Sequence, residues 1–274
     1  MKIYLYVGPQ SIFVAAVAIK FYTDRLPALD ITIVTPDPNA LFKHAPSLRQ
    51  KISVLKDSEI KGYDNVFSYL MKNIETIKKN NRSLNWYLQQ YLKLATAWYA
   101  SERIFISDGD TIFSVDLIDK ISKSPILLAT KENVSRYNNG LKLLGLPCNC
   151  NSFIANGGIF EPSELNKLNT SAETWFISSL NTLLTAEIDC DFSEYQIQGS
   201  LLAYRMQTKK LNFFRRFDLI KDISNVRYME DQDIIYLVTK ALKKYDAISF
   251  EPTHKRSNLK RILAKIAYST NYSW

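Results

Sequence analysis

The chain has few of the residues that loosen a polypeptide, since only 8 of its 274 residues are glycine and 9 are proline. This scarcity excludes a linker-rich or low-complexity protein. There is no internal repeat, and no uncharged apolar run reaches the roughly 18 residues of a transmembrane helix. Residues 1–7 are too few and too β-like for a signal peptide, so we expect a first strand there.

Cysteine and histidine are also scarce. Three cysteines, a low and odd number, suit a reducing compartment, so we expect a cytoplasmic protein. Cys148 and Cys150 have a spacing that can bind zinc, but the only histidines are His44 and His254. A four-ligand zinc site is therefore not expected.

Acidic residues are absent after Glu251, and much of the formal net charge of +8 lies in residues 252–274. The apolar residues of this tail fall on one helical stripe: Leu259, Ile262, Leu263 and Ile266. A basic amphipathic helix with aromatic ends is typical of a membrane-surface anchor, so we expect the tail to contact the inner face of the cytoplasmic membrane. A helix packed on the body with a solvated basic face is the alternative. Nucleic acid is not an expected partner, because the body has no recognisable nucleic-acid module.

The hydrophobic pattern predicts an α/β domain that opens with a βαβ unit of a parallel sheet. Strands are predicted at 2–7, 31–34, 52–55, 125–129 and 247–250, with a basic strand-like segment at 211–219 and a polar loop at 151–158. Helices are predicted at 11–24, 62–80, 83–100, 171–185, from about 193, and at 231–244. We expect one domain over residues 1–251, with a nucleotide-binding half at 1–113 and an acceptor half at 114–251.

The segment Asp108-Gly109-Asp110 follows an apolar strand and is named here the Asp-Gly-Asp turn. Two carboxylates one residue apart are hard oxygen ligands for Mg²⁺ or Mn²⁺, and open α/β sheets bind ligands at the carboxyl ends of their strands. A metal held there can neutralise a diphosphate as it leaves. The turn therefore indicates transfer chemistry on a nucleotide-linked substrate.

Two other interpretations of the turn stay open. Asp-Gly-Asp is also good turn sequence and suits a solvated corner. A phosphatase of the haloacid-dehalogenase type has Asp-x-Asp after an apolar strand as well, with Asp108 as its nucleophile. Its motif normally opens the chain, however, and Thr111-Ile112 is out of register with it.

The helix at 83–100 is apolar on nearly all sides and should be buried, yet Lys93 lies on one of its faces together with Trp86 and Gln90. A buried lysine needs an anionic partner, so Lys93 is a candidate contact for a phosphate or for the donor sugar. The alternative is a lysine whose ammonium reaches the surface.

Four segments in order resemble glycosyltransferases of the GT-A fold, in particular a group of bacterial glycosyltransferase-like proteins found with surface-polysaccharide genes. The segments are 85–94, 105–111, 151–154 and 193–195. The resemblance implies a Rossmann-like, mixed and mainly parallel sheet flanked by helices. It also implies metal-dependent transfer of a sugar from a nucleotide-sugar, UDP-linked, to a lipopolysaccharide, capsule or other lipid-linked acceptor. A catalytically silent binding protein with the same fold is the alternative.

The resemblance also implies roles for single residues. Asp110 would ligate Mn²⁺ or Mg²⁺ directly, and Asp108 in the same metal site would reach the ribose or a metal-bound water. Gly8 and Pro9 would let the backbone approach the nucleotide, and Asp37 can accept a hydrogen bond from the base. His254 follows the last predicted strand, where related enzymes sometimes supply a third metal ligand; a structural histidine is the alternative.

Two further segments complete the predicted site. Asn156, Gly157 and Gly158 supply permissive backbone and an amide where a sugar can approach, unless they form a plain loop. An inverting transferase needs a base for the acceptor hydroxyl. We expect Glu194 in that role, although a carboxylate at a helix start also favours the helix dipole. Asp231 is the rival candidate, and a retaining enzyme would need no such base.

Overall fold

The computed structural model describes residues 1–9, 11–211, 213–215 and 231–250. The strands are β1 (Lys2–Tyr6), β2 (Asp30–Thr35), β3 (Ser53–Lys56), β4 (Ile104–Asp108), β5 (Thr111–Phe113), β6 (Ile126–Ala129), β7 (Gly157–Phe160), β8 (Gln207–Lys210), β9 (Phe213–Arg215) and β10 (Ala247–Ser249). The helices are α1 (Ile12–Arg25), α2 (Pro38–His44), α3 (Tyr63–Lys72), α4 (Ile74–Lys79), α5 (Leu84–Trp98), α6 (Val115–Lys123), α7 (Ser135–Leu143), α8 (Pro162–Asn166), α9 (Ala172–Leu184), α10 (Glu194–Leu202) and α11 (Asp231–Leu242).

The central sheet has the strand order β3-β2-β1-β4-β7. Its first four strands are parallel, and β7 runs antiparallel to β4. Two smaller sheets, β5-β10-β9 and β6-β8, complete the β structure of the described residues. The predicted class, a mixed and mainly parallel sheet flanked by helices in a single domain, is confirmed.

Successive side chains of each strand point to opposite faces of the central sheet, so the hydrophobic core lies on both faces. Ile3, Leu5 and Ile33 pack with α1 and with residues of β5, α6 and β10. Tyr6, Val34 and Ile106 pack on the other face with α5 and α9. Because both faces are covered, the inner parallel strands β1, β2 and β4 are largely buried, as is typical of α/β folds, whereas the edge strand β3 is more exposed.

Most predicted elements agree with the structure, and three differ. Of the basic strand-like segment expected at 211–219, the described part is a strand only over Phe213–Arg215. The helix expected at 62–80 is interrupted at Asn73, whose side-chain amide donates to the Tyr69 carbonyl oxygen at 2.9 Å and competes with the helical backbone. The loop expected at 151–158 ends early, because Gly157 and Gly158 belong to β7. The buried helix expected at 83–100 is confirmed as α5, with Ser83 accepting from the Trp86 backbone N–H at 3.1 Å.

Several expectations are not tested by this structure. The tail at 252–274, and His254 within it, lies outside the described residues. The division at residues 113 and 251 also stays a prediction. Within the described ranges, every helix is too short or too polar to cross a bilayer.

Candidate active site

The Asp-Gly-Asp turn lies at the carboxyl edge of the central sheet. Asp108 is the register partner of Tyr6 at the end of β1. The Gly109 backbone N–H donates to the Tyr6 carbonyl at 2.8 Å, and the Asp108 N–H donates to the Asn156 carbonyl at 2.9 Å. The turn is thus held from both sides, by the end of β1 and by the residue that precedes β7.

Gly109 is required by the close approach of this turn to β1. A Cβ at Gly109 would lie 2.8 Å from Val7 Cγ2 and 2.9 Å from the Tyr6 carbonyl oxygen. Backbone cannot move aside as a flexible side chain can. The two carboxylates are therefore placed by a packing contact that only glycine permits.

Gly109→Ala is expected to lower the free energy of unfolding by about 1–3 kcal/mol through overpacking. Urea denaturation of both proteins measures the difference. Gly158→Ala is the matched control, because the nearest atom to its added Cβ is Tyr195 Cδ1 at 3.5 Å, an ordinary contact. Equal effects of the two substitutions would contradict the packing role of Gly109.

Lys93 is buried between two carboxylates. Its ammonium forms ion pairs with Asp108 and, at 2.6 Å, with Glu194, and it lies 4.5 Å from the centre of the Tyr195 ring. The side chain is 2 % exposed, so the alternative of a surface-reaching lysine is wrong. The anionic partner that a buried lysine requires is supplied by the protein itself.

Glu194 opens α10 and is held by polar contacts on several sides. Its side chain is 1 % exposed. Its backbone N–H donates to Gln90 Oε1 at 3.0 Å, and Ser193 Oγ donates to its Oε2 at 3.3 Å. Gln90 and Lys93, which share one face of α5 in the sequence pattern, therefore meet the same residue.

The pKa values in this cluster follow from burial and charge. Burial raises the pKa of Glu194, Lys93 lowers it, and Asp108 raises it again, with a net shift upward from 4.5. Burial lowers the pKa of Lys93, but Asp108 and Glu194 outweigh burial, so the net shift is upward. Lys93 is therefore a permanent cation at neutral pH.

A cleft of about 350 Å³ opens at the carboxyl ends of β1 and β2, beside the turn. We name it the β1–β2 cleft. Tyr6, Val7, Gly8 and Pro9 form one wall. The remaining lining residues are Val34, Thr35, Pro36, Asp57, Tyr63, Phe67, Asn85, Leu88, Gln89 and Leu92.

Several polar and aromatic lining residues were missed by sequence reasoning. Tyr63 and Phe67 stack with ring centroids 5.8 Å apart and planes within 5°. Asn85 and Gln89 place two amides on the α5 side of the cleft. Asp57, whose carboxyl pKa is raised by burial, lines it from the segment after β3. Its position after a strand is the signal that could have found it.

The other predicted residues have structural contacts of their own. Asp37 is an exposed N-cap of α2, and its Oδ1 accepts from the Ala40 N–H at 3.0 Å. Asp37 is not among the residues that line the cleft. Asn156 has a positive φ of 53°, and its side-chain amide donates to Ser249 Oγ at 3.2 Å.

Gly157 and Gly158 differ from the expected open loop. A Cβ at Gly157 would lie 2.6 Å from the Phe113 ring, so the space beside it is filled by an aromatic side chain. Gly158 faces Tyr195 at a distance that alanine could tolerate. Asp231 is the first residue of α11, and its side chain lies outside the described part.

The turn offers oxygen atoms that suit a hard divalent cation. Lys93 and the Tyr195 hydroxyl, at 3.4 Å, both contact Asp108 Oδ1. Asp108 Oδ2 has no hydrogen-bond or ion-pair partner among the residues that the structure describes. Asp110, half-buried, accepts from Thr111 Oγ1 at 3.2 Å. Mg²⁺ is usually bound through one or two carboxylates plus substrate phosphates, and this pair fits that mode.

Comparison with solved structures identifies the fold. A galactosyltransferase, LgtC, in complex with donor and acceptor sugar analogs matches with a TM-score of 0.52 and 12 % identity, over 98 % of this chain and 96 % of that chain. An active-site mutant of LgtC matches equally. Mouse xyloside xylosyltransferase 1 has a TM-score of 0.48 and 10 % identity, over 94 % of this chain and all of that chain.

By sequence, no family model and no curated protein matches the chain. At 12 % identity, the structural likeness concerns the fold. The chain has the mixed, mainly parallel α/β architecture of GT-A glycosyltransferases in a single domain.

Proposed function

We propose that the protein is a metal-dependent glycosyltransferase that moves a sugar from a UDP-linked donor to a bacterial surface glycan or a lipid-linked acceptor. One observation carries the proposal. In a GT-A fold, the β1–β2 cleft opens at the carboxyl edge of the sheet, directly beside the Asp-Gly-Asp turn. A ligand that spans both features would have a nucleoside at one end and a diphosphate at the other.

The cleft has the chemistry that a nucleoside needs. The stacked rings of Tyr63 and Phe67 offer apolar area to a base, and the amides of Asn85 and Gln89 offer donors and acceptors. Among the described residues, the nearest atom to a Cβ added at Gly8 is Ser11 Oγ at 4.0 Å, which supports a backbone open to the ligand. Asp57 replaces Asp37 as the carboxylate that we propose for contact with the base.

Mn²⁺ or Mg²⁺ would be held by Asp110 and Asp108, with His254 retained as a predicted third ligand. The ion supplies neutralisation of the diphosphate as the nucleotide leaves. Lys93 keeps Asp108 oriented toward the edge of the sheet and adds positive charge beneath it. A phosphate or donor sugar near this cluster would also gain from the Lys93 ammonium.

The catalytic carboxylate stays a prediction. Glu194 has the raised pKa of a candidate base, but its 1 % exposure and its ion pair with Lys93 favour a role in holding Lys93. Asp231 stays the alternative base. The pH profile of turnover separates the two roles of Glu194, because Glu194→Gln would abolish the acidic limb, where activity rises with pH, only if Glu194 accepts the acceptor proton.

The proposed acceptor and cellular location are inferred from the sequence of the tail, residues 252–274. Its basic amphipathic pattern supports a cytoplasmic enzyme at the inner membrane face, where lipid-linked glycans are extended. Cosedimentation of the full chain and of a chain ending at residue 251 with anionic vesicles tests this. Equal binding of both proteins would contradict a tail anchor.

The proposed donor site is tested by thermal unfolding with UDP, GDP or CMP, each with and without Mn²⁺. At about 100 times the Kd, a nucleotide should stabilise the wild type by about 2.7 kcal/mol. We expect a Mn²⁺-dependent shift with UDP that is absent in Asp110→Ala. Asp119→Ala is the control, because Asp119 is a partly exposed residue of α6 whose carboxylate pairs with Lys123.

The outcome also decides the class of donor. A shift with GDP or CMP alone would keep the transferase proposal and replace the UDP assignment. No Mn²⁺-dependent shift with any of the three nucleotides would contradict the donor site. Identical shifts in wild type and Asp110→Ala would remove the turn from the metal site.

A further inference from the structure

A second cavity, of about 420 Å³, is lined by an unusual number of lysines. We name it the lysine cavity. Its four lysines come from three separate segments: Lys120 of α6, Lys209 of β8, and Lys243 and Lys244 after α11. The other lining residues are Ser114, Asp116, Leu117, Leu242, Tyr245 and Asp246. A volume of this size is in the usual range for small-molecule sites.

The lysine cavity and the β1–β2 cleft have no lining residue in common within the part of the chain that the structure describes. The ladder between β5 and β10 lies between this cavity and the Asp-Gly-Asp turn. At one end of the ladder the Ser114 N–H donates to the Asp246 carbonyl, and at the other the Phe250 N–H donates to the Asp110 carbonyl. Three residue pairs separate these bonds, a span of roughly 10 Å.

The charge of the cavity is unbalanced. Among the lining residues that the structure describes, four lysines face two aspartates, a formal excess of +2. Asp246 is already engaged by Lys209 at 3.0 Å. Lys120 and Lys243 form no ion pair with any residue in the described part of the chain. Like charges gathered at one cavity repel each other, so an anion bound there would relieve the repulsion.

The geometry points to a phosphate group as the ligand of the lysine cavity. Lysine ammonium groups on flexible stems bind phosphate as point charges from several directions. The amino-terminal end of the nine-residue helix α6, capped by Ser114 at the same cavity, adds partial positive charge.

The same phosphate chemistry has two sources, a soluble phosphorylated molecule or the headgroup of a phospholipid. The inference does not depend on the proposed transferase activity, since its residues lie outside that site. Pyrophosphate in metal-free buffer with EDTA probes the first source. Vesicles of phosphatidylglycerol and phosphatidylcholine probe the second.

The test compares the full chain with Lys120→Glu/Lys243→Glu and with Lys72→Glu/Lys79→Glu, a control pair of exposed helix lysines. Both variants change the net charge equally, so long-range electrostatics are matched. We expect calorimetric pyrophosphate affinity to fall at least tenfold in the cavity variant only. Circular dichroism and thermal unfolding establish that each variant is folded.

The two probes give distinguishable outcomes. Loss of pyrophosphate binding with unchanged vesicle binding supports a soluble ligand. Loss of vesicle binding in the cavity variant but not in the control variant supports a phospholipid headgroup. This holds even if pyrophosphate binds to none of the three proteins. If the cavity and control variants bind both probes equally, or if wild type binds neither probe, the lysine cavity is not a phosphate site. Pyrophosphate binding that is lost in Asp110→Ala but kept in the cavity variant would also overturn the assignment.

Discussion

Lys93→Met is expected to lower the free energy of unfolding by about 3–5 kcal/mol at neutral pH. Methionine has a similar volume, so the loss comes from charge rather than from a cavity. Lys93 is the cation between Asp108 and Glu194, and removing it leaves two neighbouring carboxylates, one of them 1 % exposed. Chemical denaturation of the variant and the wild type measures the difference.

The loss of stability caused by Lys93→Met should increase with pH. Burial and Asp108 raise the pKa of Glu194, and Lys93 opposes them. Without Lys93, the folded-state pKa rises further above the unfolded value near 4.5. The folded variant then holds a proton that the unfolded chain releases, so its stability falls as pH rises through the folded-state pKa. The deficit should be larger at about pH 8 than at about pH 5.

Lys167→Met is the matched control for this prediction. Lys167 also pairs with a buried glutamate, Glu164, at 2.8 Å, but its own side chain is 61 % exposed and Glu164 keeps Arg205 as a partner at 2.9 Å. We expect little change in stability and no added pH dependence. A comparable loss in both variants, or a Lys93→Met deficit that shrinks as pH rises, would contradict the buried charge cluster.

Asp191→Ala is expected to lower the free energy of unfolding by a similar amount, about 3–5 kcal/mol. Asp191 is 0 % exposed and accepts from Arg82 Nε at 2.7 Å. It also accepts from the Tyr87 hydroxyl at 3.1 Å, and burial followed by this carboxylate raises the pKa of Tyr87, so the phenol stays a donor. The substitution would leave both donors without their acceptor.

The consequence of Asp191→Ala extends to the candidate active site. Asp191 precedes α10 by three residues and ties its start to Arg82, which lies just before α5. Those two helices carry Glu194 and Lys93. We therefore expect the variant to lose nucleotide-dependent stabilisation as well as global stability, if the proposed function holds.

Asp189→Ala is the control, because the chain offers two aspartates beside the same arginine. Arg136 lies 3.1 Å from Asp189 and 3.7 Å from Asp191, yet Asp189 is 78 % exposed. Exposed ion pairs contribute less than about 1 kcal/mol. The urea midpoints of Asp191→Ala and Asp189→Ala measure the two losses of stability. Equal shifts of the midpoint would show that burial does not determine how much these ion pairs contribute to stability.

The candidate site could be predicted only in part. The Asp-Gly-Asp turn was found because an apolar strand followed by acidic residues is visible over a few positions. The need of Lys93 for an anion was found because α5 is apolar on nearly all sides. Neither pattern names the partner, since Glu194 lies 101 residues away from Lys93.

The cleft shows the same limit. Asp37 and Asp57 both follow strands, and sequence reasoning chose the first. The structure places Asp57 at the cleft, whereas Asp37 caps α2. That choice depends on how the segment after each strand turns, which is set by the contacts of the whole domain.

The sequence by itself determined the α/β class, the parallel sheet, the burial of α5 and the acidic edge, because periodicity and caps are local and repeat within a few residues. Only the tertiary structure decided that Lys93 joins Asp108 to Glu194, that Gly109 is held against β1, and that four lysines meet at one cavity. Charge pairing and close packing depend on segments that folding brings together, and their energies exist only once water has been excluded between them.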